Sequence, residues 1–410
     1  MLSGRAARDL MFSSAARTAA RRAAVGAGAV MASGMALSSI AVAEAPVAVD
    51  VPTTASYPAN HPIEDRNVSF ALGAGVRVAA VFDGHGGWQC SDFAMNELES
   101  AITAERPHCN TDPAHDPAEL GRLLARAYGR LDRDFAAAVR PAFRLGFGNV
   151  AHAGACSLTC AVSPDHIVVA NAGDCRAVLA VAEDDNPAGS APSAVVELSR
   201  DHNAREPREK ERLAAEHPGE DDIVLCKSPT ACYVKGRLQP TRCLGDFYLK
   251  LPEFNGVAEE RSRGRHIGPR YTPPYITSEP ELHARPRTAG DRFIVMGSDG
   301  LWDAMSSEEA VDFVDGLLRP KQGPATPRDE VADKLVQEAL RREAATARMS
   351  MQRLLSLPAG RMRRGLHDDI TVSILFLDKA GGASTGGPGG ASGGIFGWLA
   401  SFFGGKGDRA

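Results

Sequence analysis

Short apolar runs recur along the middle of the chain, each bounded by turn residues. Residues 76–82 (VRVAAVF) form one, and 166–170, 176–182, 292–297 and 370–377 form others. Runs of this length, rich in Val, Ile and Phe, predict buried strands. An Asn-Ala-Gly-Asp turn joins 166–170 to 176–182, which predicts a hairpin. A different spacing, apolar at every third or fourth position, predicts helices. It is clearest at Pro117–Val139, where Leu120, Leu123, Leu124, Ala127, Leu131 and Phe135 share a face. Arg328–Met349 follows the same rule, with further helices over Ser91–Thr103, Glu206–Glu216 and Ser307–Leu318. Strands do not alternate strictly with helices, which favours an α+β architecture over a doubly wound parallel sheet.

The patterned region spans residues 60–379 and shows no internal repeat. Before it, 46–59 is a Pro-, Ala- and Thr-rich linker. The first 22 residues carry Arg5, Arg8, Arg17, Arg21 and Arg22 against one acid, Asp9, and 23–43 are uncharged. An Arg- and Ser-rich, acid-poor start predicts a mitochondrial presequence within 1–45. A secretory signal and a membrane anchor compete with it. The run is long enough to span a bilayer, although its Ala, Gly, Ser and Val residues insert weakly. After the patterned region, 380–410 is a Gly- and Ser-rich tether ending in Ile395, Phe396, Trp398, Leu399, Phe402 and Phe403. That cluster would fold back on the domain, or else dock on a partner or membrane surface.

With 44% hydrophobic and 24% charged residues over 410, the chain is neither disordered throughout nor a polytopic membrane protein. A net charge of −5 leaves no electrostatic footprint for nucleic acid. The eight cysteines form no CxxC pair and no zinc-like spacing, so reduced thiols are expected.

The informative acids sit at strand ends. Strand 76–82 runs into Asp83-Gly84-His85-Gly86-Gly87, and 293–297 runs into Ser298-Asp299-Gly300. Asp368-Asp369 stands directly before 370–377, Glu64-Asp65 before another β-like stretch, and Asp174 in the turn after 166–170. A strand fixes a carboxylate in space, and glycine lets backbone approach a bound ion closely. Several such acids without a Cys or multi-His cluster suit a hard cation, magnesium or manganese.

Seven blocks, in order, make the chain similar to the protein phosphatase 2C family of metal-dependent phosphatases. They are PIEDR (62–66), VFDGHGG (81–87), VVANAGDCRAVLA (168–180), LSRDHNAREPREKER (198–212), LQPTRCLGDFYLK (238–250), GSDGLWDAM (297–305) and HDDITV (367–372). NHPIEDR, the segment 251–273 and PPYITSEPEL resemble the pyruvate dehydrogenase phosphatase branch in particular. The resemblance implies an α-β-β-α sandwich of two antiparallel sheets flanked by helices. It implies two divalent cations, Mg2+ or Mn2+, held by Asp83, Asp299, the Gly84 carbonyl and Asp368, with Glu64 and Asp65 acting through water. Asp174 matches the position of a third, looser ion, and His85 the proposed general acid. The implied reaction is hydrolysis of phosphoserine or phosphothreonine on a protein, in mitochondria on a dehydrogenase such as pyruvate dehydrogenase. A general phosphatase outside mitochondria, or a catalytically silent scaffold, would carry the same fold. The scaffold reading predicts loss of core acids, yet Asp83, Asp299 and Asp368 are all present.

Two departures stand out. Where many members carry a phosphate-clamping arginine, four residues before Glu64, this chain has Asn60, which shifts phosphate recognition to the metals and to Arg66 or a neighbour. At 153–157 the family's Thr is replaced by Cys156. Of the remaining marked residues, Arg242 and Asp246 are expected to pair, Trp302 to be core, Arg205–Arg212 to be an exposed helix face, and 251–273 to govern specificity.

Overall fold

The computed structural model describes residues 50–73, 75–182, 193–255, 266–268 and 270–377. The expected presequence (1–45), residues 46–49, residues 256–265 of the Arg-rich segment and the tail (380–410) lie outside the described residues, and the rest of the expected linker is not simply a tether, since its residues 53–57 form a strand of the domain. Two antiparallel sheets carry the fold. The first orders β1 (Thr53–Tyr57), β13 (Ile370–Phe376), β12 (Asp291–Gly297), β6 (Arg176–Val181) and β7 (Ala194–Glu197). The second orders β11 (Glu281–Pro286), β5 (His166–Ala172), β4 (Gly154–Val162), β3 (Arg77–His85) and β2 (Arg66–Ala71), with β10 (Leu244–Gly245) also on β4. A separate hairpin pairs β8 (Val224–Ser228) with β9 (Ala231–Val234).

The strands read as continuous apolar runs because both faces of each sheet are covered. Ala79 and Val81 of β3, Leu158 and Cys160 of β4 and Val169 of β5 cluster with Leu179, Ile294, Met296 and Leu375 of the other sheet. Their neighbours Val78, Ala80 and Phe82 point the other way, onto α1 (Gln89–Glu105) and α2 (Pro117–Arg144). Likewise Phe293, Val295, Val372 and Ile374 pack on α5 (Ser307–Leu318) and α6 (Arg328–Thr346). The result is the expected α-β-β-α sandwich, with three buried layers generated by period-two alternation.

Helix starts follow local chemistry. Asp116 caps α2 by accepting from the Ala118 and Glu119 amides, with Pro117 at the first helical position. Ser306 and Glu309 close a capping box on α5. The apolar stripe of α2 is buried as predicted, and Tyr128 within it donates its hydroxyl to Thr159 Oγ1 (2.9 Å) or Ala170 O (3.1 Å) across the sheet.

Two expectations fail. Residues 166–172 and 176–181 are strands, but they do not pair: β5 bonds β4 and β11, while β6 bonds β12 and β7. The turn at Gly173-Asp174 therefore carries the chain from one sheet to the other. The cysteines are not all thiols either, because β8–β9 pairing sets Cys226 opposite Cys232 and a disulfide joins them. The other six are free, five of them buried.

Candidate metal centre

Strand register brings the acids together. Arg66 lies opposite Phe82, so Asp65, at the entry to β2, stands beside Asp83 near the end of β3. Gly297 lies between Val372 and Arg176, which puts Asp299, just past β12, next to the approaches to β13 and β6. Those approaches carry Asp368 and Asp174. Six strand termini from two sheets thus deliver Asp65, Asp83, Asp174, Asp299 and Asp368 to one end of the sandwich.

Asp83, Asp174 and Asp299 each offer a carboxylate oxygen within 4.8 Å of the other two. The Asp299 amide donates to Asp83 Oδ2 at 3.4 Å, whereas Asp299 Oδ1 is buried without a hydrogen-bond partner. Asp174 accepts from Cys156 Sγ (3.1 Å) and from Asn203 Nδ2 (2.9 Å), so the thiol at the altered position holds a cluster acid directly. Burial raises the pKa of Asp83 and Asp299 well above the carboxylate range, and the neighbouring carboxylates add to it. Burial also pushes Asp368 to about 6, opposed by Arg364, whose Nη2 stands 2.5 Å from Asp368 Oδ2. Asp65 rises to about 8 for the same reason, with Asp369 adding to it, while its Oδ2 accepts from Ser298 Oγ at 2.7 Å. Burial and Asp369 raise Glu64 too. Carboxylates forced together against their own repulsion, with one buried oxygen unpartnered, fit a cation that their mutual arrangement anticipates.

Gly84 shows how close the backbone comes. A Cβ there would sit 2.3 Å from Glu64 O and 2.7 Å from Ser91 Oγ, so only glycine lets the two segments touch. Its carbonyl and the Glu64 side chain belong to the same corner.

His85 sits at the rim with its side chain 25% exposed and Nε2 2.5 Å from Asp246 Oδ2. Burial works against its charged form, but the charge and hydrogen bond of Asp246, with Asp174 and Glu64 behind, lift its pKa above the ordinary imidazole value. This corrects the expected Arg242–Asp246 pair. Arg242 instead reaches Glu209 (3.4 Å), a buried acid that also binds Thr241 and Arg212, so the 205–212 run is not wholly a solvated face. The His85–Asp246 contact escaped the sequence because its two residues are 161 positions apart. The proximity of Cys243 to this pair is explained by its thiol donating to Asp246 Oδ2 at 3.2 Å.

Asp369, marked in the sequence only as the neighbour of Asp368, has a role that was also missed. Its carboxylate receives the amides of Ala59 (2.6 Å), Asn60 (2.8 Å) and Glu64 (2.7 Å), and Asn60 Nδ2 (3.1 Å). Asn60 therefore braces the loop that presents Glu64 and Asp65. Arg66 has partners of its own: Nε donates to Asp92 Oδ1 (3.1 Å), Nη1 to Ile63 O and Asp65 O, and the guanidinium lies over Trp88. Trp302 is core as expected, donating Nε1–H to Gly297 O at 3.0 Å.

Oxygen donors alone, gathered at the end of two stacked sheets, have the chemistry to hold a hard cation. The family model for protein phosphatase 2C matches residues 61–347. The chain belongs to the protein phosphatase 2C family, whose members are metal-dependent, and is a protein-serine/threonine phosphatase. It is 34% identical over 329 residues to probable protein phosphatase 2C 61 of Oryza sativa subsp. japonica, covering 79% of this chain and 80% of that one. Probable protein phosphatase 2C 38 of Arabidopsis thaliana is 32% identical over 310 residues, 76% of this chain and 74% of its own. Among solved structures, serine-threonine phosphatase 2C from Toxoplasma gondii shares the fold with a TM-score of 0.53 at 19% identity, over 81% of this chain and 96% of that one. A C. elegans sex determining protein does so with a TM-score of 0.52 at 21% identity, over 79% and 64%.

Proposed function

We propose that Asp83, Asp299, Asp368 and the Gly84 carbonyl hold two Mg2+ or Mn2+ ions, with Glu64 and Asp65 acting through water and Asp174 available to a third. The observation that carries this is the convergence of the buried Asp83 and Asp174 with the half-buried Asp299, whose Oδ1 is inaccessible and unpartnered. When bound, such a pair of cations supplies an acidified water and positive charge for the phosphoryl oxygens. The chain's own residues do the rest. His85, held through Nε2 by Asp246, has Nδ1 left to give a proton to the departing serine or threonine oxygen. Asp369 and Asn60 fix the Glu64–Asp65 loop so that the acids need not reorganise during turnover. The substrate is a phosphoserine or phosphothreonine protein.

The finer reading is a phosphatase of the pyruvate dehydrogenase phosphatase branch, acting in mitochondria on a dehydrogenase complex. The NHPIEDR and PPYITSEPEL blocks and the Arg-rich, acid-poor residues 1–22 support it. Among the described residues no helix is long and apolar enough to cross a membrane, so any membrane attachment would fall to 23–43 or the tail.

Turnover of a phosphothreonine peptide with Mn2+ or Mg2+ tests the chemistry. Asp299→Asn should lower kcat at least about 100-fold in a folded protein, by loss of a charge that organises the reacting centre. Full activity in that variant would remove the assigned site. Imaging a fusion of residues 1–50 to a fluorescent protein tests the compartment, and diffuse cytosolic signal would count against mitochondria.

A further inference from the structure

The reacting end of the molecule is crowded with acid: Glu64, Asp65, Asp83, Asp174, Asp299 and Asp368 all converge there. A phosphate ester arrives with close to two negative charges, so a cationic side chain at the rim would add to the positive charge that bound ions supply. The arginines around the site divide sharply. Arg66 is consumed by Asp92 and two carbonyls. Arg176 grips Asp201 through Nε (3.1 Å) and Nη2 (2.7 Å), bonds Ser307 and lies over Trp302. Arg205 faces Glu206 (3.5 Å) and Asp201 (3.9 Å), neither of which belongs to the cluster.

Arg364 differs from all three. Its side chain is 49% exposed, and among the described residues its one ion pair is with Asp368, itself a cluster acid. The platform beneath it is rigid. Arg364 ends α8 (Arg361–Arg364), and the Gly360 amide at the helix start donates to Ala59 O at 2.6 Å. The preceding Arg363 is buried, donating Nη1 to Pro58 O (2.7 Å) over the Tyr57 ring. At the other end of the loop, Asp369 binds the 59–64 segment four times. A guanidinium held by its backbone at the edge of an acid cluster, with most of its five N–H groups uncommitted, matches a phosphoryl group's paired oxygens.

We propose that Arg364 binds the phosphoryl group of the substrate and of product phosphate. This rests on the phosphatase reading above and adds a residue to it. The test uses full-length protein loaded with Mn2+, comparing wild type, Arg364→Ala and Arg364→Lys. A charge-assisted pair of this kind is worth roughly tenfold or more in affinity. Arg364→Ala should raise KM for a phosphothreonine peptide and the inhibition constant of inorganic phosphate together by about 10- to 30-fold, with kcat changed much less. Arg364→Lys should recover part of both. Mn2+ affinity, followed calorimetrically, should stay equal or tighten, because a positive charge beside Asp368 has been removed. Unchanged KM and phosphate inhibition in Arg364→Ala would overturn the proposal, as would weakened Mn2+ binding with phosphate inhibition intact, which would make Arg364 a brace for Asp368. Direct phosphate binding by thermal shift separates the two readings. A wild type that hydrolyses and binds phosphate while Arg364→Ala does both equally well sinks only Arg364, whereas a wild type that does neither sinks both.

Discussion

Asp299 shows what the site costs a single residue. Its side chain is half-buried against Asp83 and Asp174, one inaccessible oxygen has no partner, and desolvation and like charge oppose its ionisation. A group in that position contributes to turnover while working against the metal-free fold. Asp299→Asn should therefore raise the Tm of chelated protein at pH 7–8 by a few degrees, even as turnover is lost. The sign follows from linkage: a carboxyl whose folded pKa is raised favours the fold while protonated and opposes it as pH climbs. The gain should accordingly shrink towards pH 4, where the wild-type carboxyl also holds its proton. A thermal melt in EDTA at both pH values checks this, and a lowered Tm at pH 8 would contradict it.

At the scale of elements, Glu281 of β11 ties the edge of one sheet to α3 (Pro207–Glu216) and to the crossing turn. Arg208 donates Nη1 (3.0 Å) and Nη2 (2.7 Å) to it, and Arg200 stands 3.6 Å away. His202 is neutral here, since burial and Arg242 depress its pKa; the Gly173 amide faces its Nδ1, so Nε2–H donates to Glu281 at 2.9 Å. The Arg208 hydrogen bonds foremost, with His202 adding, hold the Glu281 carboxyl down at about 2. A lowered folded pKa means stability that is present above the unfolded value of roughly 4.3 and lost as pH falls towards 2. Glu281→Gln should cost about 1 kcal/mol at pH 7, allowing for solvent screening of a half-exposed pair. That deficit should fade between pH 4 and pH 2, which urea melts across the range would show. The same elements mark how far the sequence could be read. The strands at 77–85, 291–297 and 370–376 and the helix at 307–318 lie where their periodicity placed them, because burial on a fixed face is a local signal. The Asn-Ala-Gly-Asp turn was misread because its residues suit a hairpin and a crossing between sheets equally. Which one forms depends on β12 and β4, whose pairing with β6 and β5 no short window contains. The roles of Asp246 and Asp369 stayed hidden for the same reason, their partners being His85 and the 59–64 loop.

In the molecule as a whole, the two sheets meet at a sealed interior of Ala, Val, Leu, Ile, Met and Cys, yet the end of that interior is capped by repelling acids. The fold is thus well packed through its three layers and under electrostatic load where strands from both sheets terminate. Ions bound there would relieve repulsion shared by β3, β12 and the turn between β5 and β6, so their effect should be felt globally. Binding to the folded state alone stabilises by RT ln(1 + [L]/Kd), about 2.7 kcal/mol at a hundredfold excess over Kd. For a domain of this size, that corresponds to a rise in Tm of roughly 5 °C. Calorimetric scans of the full chain with excess Mn2+ and with EDTA should differ by that amount, and the difference should largely vanish in Asp83→Asn. Because ions must displace protons from carboxyls held at raised pKa, the stabilisation should also grow from pH 6 to pH 8. A wild-type Tm insensitive to Mn2+ across that range would show that the acids at the sheet ends repel one another without an ion to reconcile them.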